Sequence, residues 1–158
     1  MAVFERRATS VLDLLTTATA AYPDREFLAD DGRRLTYREH LSAVAVLAGI
    51  LRDEHGVRPG DRVGLLAANS VEWIIAFWAA LAAGAIPAAM NSYWSEPETE
   101  AALSLVEPRV LLGDERRLAT VRRVAAGPLS AGLPLVELGP ELYERVTAPA
   151  AADLPAVP

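Results

Sequence analysis

The apolar positions of the chain alternate between helical and strand-like spacing. Apolar residues recur at helical spacing from Val11 to Tyr22, and again over roughly 18 residues after Thr36. Each run begins with a pair at capping-box spacing, Ser10 with Asp13 and Thr36 with Glu39. The sequence therefore predicts two capped helices in its first third.

Shorter apolar runs predict strands between further helices. The segment FLADDGRRLTY predicts a hairpin that turns at Asp31-Gly32. RVGLL and RVLLGD are almost continuously apolar, as is typical of strands in a parallel sheet that is covered on both faces. A third capping pair, Ser95 and Glu98, precedes a predicted helix over Ala101–Val106. We also predict a helix over Glu115–Val124 and a strand over Leu135–Leu138. This order indicates an α/β fold, a layered domain with a mostly parallel sheet built from right-handed βαβ units.

One stretch, VEWIIAFWAALAAGAIPAAMN, is apolar over almost the length of a membrane span. Ser70 can cap a helix from Val71 to about Ala83, and Gly84 stands where a helix stop is expected. Pro87 would interrupt a continuing helix, so Ala85–Met90 is predicted to be extended. Because a span needs about 20 uninterrupted apolar residues, we predict no transmembrane segment but a helix buried between layers.

The composition of the chain excludes several classes of ligand and reactive site. A net charge of −6 gives no general attraction to nucleic acid or anionic lipid, and the chain has no cysteine for disulfides or thiolate metal sites. All 15 basic residues are arginine, which excludes a lysine nucleophile or a phosphate-loop lysine. The amino terminus has no apolar run that could serve as a secretory signal, so a cytoplasmic location is the default expectation.

The titratable residues form no complete catalytic set. His40 and His55 have no carboxylate partner at a metal-ligand spacing, and we expect both to face solvent or lie near a helix cap. Glu96, Glu98 and Glu100 fall in the first turn of a predicted helix, where the helix dipole favours acids. No catalytic, metal or cofactor-binding residue is therefore predicted.

Two loops remain as candidates for ligand contact. Asn69-Ser70 follows a strand and precedes a helix, which is the position of an anion site and also of an ordinary cap. Asn91, Tyr93 and Trp94 follow a predicted strand end, and we expect this loop to contact an apolar substrate. A second aromatic group in the long apolar stretch has helical spacing and is expected to lie in the core: Trp73, Phe77 and Trp78.

Three phrases in fixed order and spacing resemble the amino-terminal part of the AMP-forming acyl-CoA synthetases, in the adenylate-forming superfamily. They are AYPDREFLADDGRRLTYREH, GVRPGDRVGLLAANSVEWIIAFWAALAAGAIPAAMN and SEPETEAALSLVEPRVLLGD. LTYREH resembles the family motif LTYxEL, with His40 in place of the usual Leu. Asn91 makes the chain resemble acyl-CoA ligases more than amino-acid-adenylating domains, which usually have Asp at that position. The resemblance covers Val11 to Asp114.

The resemblance implies a ligase that converts a carboxylic or fatty acid, ATP and CoA into acyl-CoA, AMP and pyrophosphate through an acyl-adenylate, with Mg²⁺. In the family the phosphate loop and the magnesium-binding and lysine residues follow the matching region. Residues 1–145 are then an α/β subdomain of the large N-terminal domain, and 146–158 an Ala/Pro-rich linker leading to the missing loop. The 158 residues alone are expected to be inactive and not to bind ATP tightly.

A role without catalysis is the competing hypothesis. The chain could be a truncated relative that acts as an interaction or oligomerisation module, and self-association is open under either hypothesis. The resemblance does not identify the acyl group. It also does not decide between CoA and a carrier protein as the acceptor.

Overall fold

A computed structural model describes residues 8, 10–30, 32–124, 132–148 and 154. The helices in this part of the chain are α1 (Val11–Ala21), α2 (Tyr37–Asp53), α3 (Val71–Ala82), α4 (Glu96–Val106), α5 (Glu115–Val124) and α6 (Pro140–Thr147). The strands are β1 (Glu26–Asp30), β2 (Arg33–Thr36), β3 (Arg62–Leu66), β4 (Ile86–Ala89), β5 (Val110–Gly113) and β6 (Leu135–Glu137).

The strands form two sheets. β1 and β2 make an antiparallel hairpin, of whose predicted turn Asp31 lies outside the described residues while Gly32 has a φ of +89°. The other four strands form a parallel sheet in the order β4-β3-β5-β6. The chain moves outward from β3 to β4, then crosses back over β3 to β5 and β6. The predicted α/β fold with a mostly parallel sheet is confirmed.

Side chains alternate across β3 and β5 into two apolar cores. Val63, Leu65, Val110 and Leu112 belong to the larger core, together with buried residues of α2 and α3. Leu111 faces the other way, into a smaller core with residues of α4 and α5. The sheet is thus covered on both faces, which explains why its central strands read as continuous apolar runs.

The long apolar stretch is divided as predicted. The Ser70 hydroxyl caps α3 by accepting the Trp73 N–H at 3.1 Å, and Gly84 ends the turn with a φ of +77°. β4 follows as an edge strand, where Pro87 is tolerated because its nitrogen faces away from β3. No helix in the described residues is long and apolar enough to cross a membrane.

The covering of α3 is less complete than predicted. One side of the helix is buried, and α2 and α1 pack against it. A second side carries a stripe of partly buried apolar residues: Trp73, Ile74, Phe77, Trp78 and Leu81. We call these five residues the α3 stripe. Trp73 and Phe77 stack within it, with ring centroids 5.8 Å apart.

Three local expectations differ from the structure. His40 is fully buried in α2 and does not face solvent, because its ring packs 4.7 Å from that of Phe27 on the hairpin. α4 begins at Glu96, directly after its Ser95 cap. α6 was not predicted at all, and Thr147, within the predicted linker, is its last residue. Residues 149–153 and 155–158 of that linker lie outside the described residues.

Candidate functional site

The loops that follow the four parallel strands meet at one edge of the sheet. The strand order reverses between β3 and β5. The connection after β3 leads to β4 on one side of the sheet, and the connection after β5 leads to β6 on the opposite side. Crevices outside the carboxyl ends of strands at such a reversal are the usual ligand sites of open α/β sheets. The carboxyl edge is therefore where a site is expected on fold grounds.

A charged pair, Asp114 and Arg117, joins these loops. Asp114 follows β5 and accepts two backbone N–H groups, that of Ala68 after β3 at 2.9 Å and that of Arg117 at 3.0 Å. The Arg117 guanidinium donates Nη1 to Asp114 at 2.9 Å and Nε to the Ser92 carbonyl, after β4, at 3.1 Å. Two side chains thus connect the loops after three strands, and we call this arrangement the edge bridge.

The loop with the predicted substrate contacts is joined to the edge bridge at the Ser92 carbonyl. Asn91 shapes it, because its Oδ1 accepts the Tyr93 N–H at 3.0 Å and its carbonyl accepts the Trp94 N–H at 3.2 Å. Tyr93 is 89% exposed, whereas Trp94 is partly buried against the smaller core. This loop, residues 91–95, is called the aromatic loop below.

Tyr93 and Trp94 line the same small pocket. Its volume is about 180 Å³, and its other lining residues come from β3, α4, α5 and the loop itself: Leu66, Ser92, Thr99, Arg116, Arg117 and Thr120. Asn91 is not among them, so its side chain contributes through the shape of the loop. The structure brings two of the three predicted residues together at a pocket, and contact with substrate stays a prediction.

A larger pocket of about 580 Å³ is lined by Asp114 of the edge bridge and by Ala68. Its polar residues include Ser70, which is engaged as the α3 cap, and Arg33, which forms an ion pair with Glu72. The hydrogen bond to Glu72 raises the pKa of the Arg33 guanidinium above its ordinary value. Tyr143 of α6 lies with its ring centroid 4.8 Å from the same guanidinium. Asn69, the other half of the predicted anion site, does not line this pocket.

Two of the three acids that sequence reasoning assigned to a first helical turn, Glu96 and Glu98, lie in the first turn of α4, whereas Glu100 lies beyond it. Glu98 accepts the Ser95 hydroxyl at 2.6 Å, and this bond lowers the carboxyl pKa of Glu98. Glu96 forms a 2.7 Å ion pair with Arg123. Within the described part of the chain, no group of three histidines or acids is arranged to hold a metal ion.

Sequence reasoning missed the residues that organise this edge. Arg33, Asp114 and Arg117 were not singled out, and Glu72 was expected only as a first-turn acid of α3. Asp114 carried a usable signal, since an acid between a buried strand and a helix is the position of a cap at the carboxyl edge. The partners of Arg33 and Arg117 are set by tertiary contacts that no local pattern encodes.

Comparison with known proteins finds one matching family model and similar CoA ligases. The sequence model of the family described as AMP-binding enzyme matches residues 15–153. The 3-oxocholest-4-en-26-oate–CoA ligase of Rhodococcus rhodochrous is 37% identical over 93 residues, which are 59% of this chain and 17% of that ligase. The mitochondrial malonate–CoA ligase of Mus musculus is 30% identical over 134 residues, which are 80% of this chain and 22% of that ligase. The chain spans less than a quarter of either relative.

Solved structures show the same fold. The fatty acyl CoA synthetase of Mycobacterium tuberculosis superposes with a TM-score of 0.80 at 25% identity, over 93% of this chain and 30% of that protein. The benzoate CoA ligase of Burkholderia xenovorans superposes with a TM-score of 0.77 at 24% identity, over 89% of this chain and 28% of that one. The layered sheet described above is therefore shared with a part of each of these larger proteins.

Proposed function

Because this chain belongs to the AMP-binding enzyme family, we propose that it forms the amino-terminal part of an AMP-forming acid–CoA ligase. The whole enzyme activates a carboxylic acid with ATP and Mg²⁺ to an acyl-adenylate and pyrophosphate. CoA then displaces AMP to give the acyl-CoA. The observation that carries the proposal is the family match over residues 15–153.

Within that enzyme this chain supplies scaffold and substrate contacts. The described residues at the carboxyl edge do not fit an ATP·Mg²⁺ site, since Asp114 and Arg117 are bonded to each other and no group of three acids or histidines lies together in this part of the chain. We therefore assign no step through ATP or Mg²⁺ to this chain. The aromatic loop contacts the acyl substrate, because it places Tyr93 and Trp94 on a pocket at the carboxyl edge.

ATP–pyrophosphate exchange tests the proposal. The 158-residue chain, given a panel of aliphatic and aromatic acids, is expected to show no exchange above background. A longer polypeptide from the same reading frame, extended through a Ser/Thr/Gly-rich phosphate loop, is expected to show acid-dependent exchange. Exchange by the short chain would refute the proposal that this chain carries no ATP chemistry. An extended polypeptide without exchange would refute the ligase assignment.

A second candidate is a non-catalytic interaction or oligomerisation module. The α3 stripe favours it, because five apolar residues along one helix are only partly covered. Sedimentation velocity of the chain over a wide concentration range distinguishes the two. A concentration-dependent dimer that Trp78→Gln abolishes supports the module, whereas a monomer at all concentrations argues against oligomerisation.

A further inference from the structure

The aromatic loop is held at one end by Ser95, which bonds to Glu98 of α4, and by Trp94, which packs against the smaller core. The bonds from Tyr93 and Trp94 both end on Asn91, so they fix the internal shape of the loop and not its place on the sheet. The Arg117 Nε bond to the Ser92 carbonyl links the loop to another element. It reaches a carbonyl that lies between Asn91 and Tyr93 in the chain.

Arg117 is itself held in place. Its side chain is 17% exposed and that of Asp114 is 25% exposed, so water competes weakly for their ion pair. Asp114 is in turn fixed by its bond from the Ala68 N–H, directly after the central strand β3. The Asp114 and Arg117 side chains thus link the loop to the end of the buried central strand β3.

The two bonds of Arg117 depend on the planar shape of its guanidinium group. Nη1 donates to Asp114 while Nε donates to Ser92, and the planar fork makes both bonds in one conformation. A lysine ammonium at this position would keep the charge for Asp114 but has no second donor at a fixed angle. The sequence therefore needs arginine here for a positional reason beyond charge.

We propose that Arg117 is a positioning residue, which holds the aromatic loop where Tyr93 and Trp94 can contact the acyl substrate. The positioning stands on the contacts above, whereas its effect on substrate rests on the proposed function. Arg117 acts through the Ser92 carbonyl and has no part in the chemical step.

Hydrogen exchange measured by NMR tests the positioning on the chain itself. In Arg117→Gln, the Tyr93 and Trp94 amides are expected to exchange about tenfold faster, the equivalent of one lost hydrogen bond. Amides of β3 and β5 should keep their rates. Arg117→Lys, which keeps a positive charge beside Asp114 but lacks the second fixed donor, should still leave the loop amides fast. The control is Arg122→Gln, an exposed arginine of the same helix, which should change neither set.

The outcomes separate positioning from general stability. Unchanged loop amides in Arg117→Gln, or loop and strand amides that accelerate together, would overturn the proposal. In an extended polypeptide that is active, Arg117→Gln should raise the KM for the carboxylic acid by about tenfold, with kcat changed less than about threefold. If exchange changes as expected but KM does not, the loop is positioned by Arg117 and the assigned substrate contact is wrong.

Discussion

Arg33 on β2 forms an ion pair with Glu72 in the first turn of α3, and so ties the hairpin to the parallel-sheet layer. Glu72 is only 5% exposed, and Arg33 also contacts Asp30 at 2.8 Å and the ring of Tyr143. One guanidinium therefore joins the hairpin to α3 and α6. Its removal would leave a buried carboxylate without its partner.

Arg33→Met is expected to lower the free energy of unfolding by about 1–3 kcal/mol, because the pair is part-buried and its loss leaves the buried Glu72 carboxylate without this partner. The double variant Arg33→Met with Glu72→Met should recover most of the loss. Urea unfolding followed by circular dichroism measures both. The control is Arg34→Met, whose pair with Glu26 is exposed and should be worth less than about 1 kcal/mol. Equal losses of unfolding free energy in Arg33→Met and Arg34→Met would contradict a special role for the Arg33–Glu72 pair.

His40→Leu is expected to stabilise the protein at neutral pH by about 1–3 kcal/mol, since both ring nitrogens are buried and have no hydrogen-bond partner among the described residues. Burial also lowers the pKa of His40 from 6.5 to about 4. The unfolded chain therefore binds a proton between pH 6.5 and about 4 that the folded chain does not, and stability falls as the pH drops through that window.

The acid-dependent loss from His40 is about 3 kcal/mol over the full window. Denaturant unfolding at a series of pH values from neutral down to about 4 should show a flatter stability profile in His40→Leu than in the unmodified chain. Parallel profiles would show that other groups control acid sensitivity.

Gly113→Ala is expected to destabilise the sheet by about 1–3 kcal/mol. A Cβ there would lie 2.8 Å from the Leu66 carbonyl oxygen and 2.8 Å from Leu118 Cδ2, and the backbone contact cannot move cheaply. The matched control is Gly49→Ala in the middle of α2, where an added Cβ would meet no atom of another described element within 4 Å. That change should stabilise the helix by about 0.5–1 kcal/mol, and thermal unfolding gives the sign of each effect.

Pro87→Thr is expected to promote self-association through the outer edge of β4, which pairs with no other described strand. Ile86 and Met90 donate their N–H groups toward β3, so the nitrogen of residue 87 faces outward and threonine would add an edge donor. Sedimentation velocity and thioflavin binding measure the effect. Pro59→Thr, in the turn before β3, is the control. Association in both variants, or in neither, would count against a protective role for Pro87.

Much of the fold could be predicted from local patterns. The capping boxes at Ser10, Thr36 and Ser95 lie at three observed helix starts, and Gly84 ends α3. These signals are predictable because caps and stops depend on residues within one turn. The position of His40 could not be found this way, since its burial depends on Phe27 from a different element.

The candidate site was predicted less completely than the fold. Tyr93 and Trp94 were proposed from the sequence because loop aromatics after a strand stand out, and they line a common pocket, while their contact with substrate stays a prediction. The edge bridge was not proposed, because Arg117 in ERRLATVRRV resembles the other arginines of its helix. Its distinct role comes from the Ser92 carbonyl, which is 25 residues away in the chain.

The order of strands also bears on synthesis of the chain. β3 pairs with β4, which follows soon after it, but its other edge pairs with β5, which is made only after α4. A ribosome releases these segments from the amino terminus onward, so one edge of β3 stays open while α4 emerges. During that interval a nascent chain presents the unpaired backbone of Val63–Leu66, an apolar strand edge, to any neighbouring strand. Translation speed across residues 90–113 would then influence how much of the protein reaches its native state.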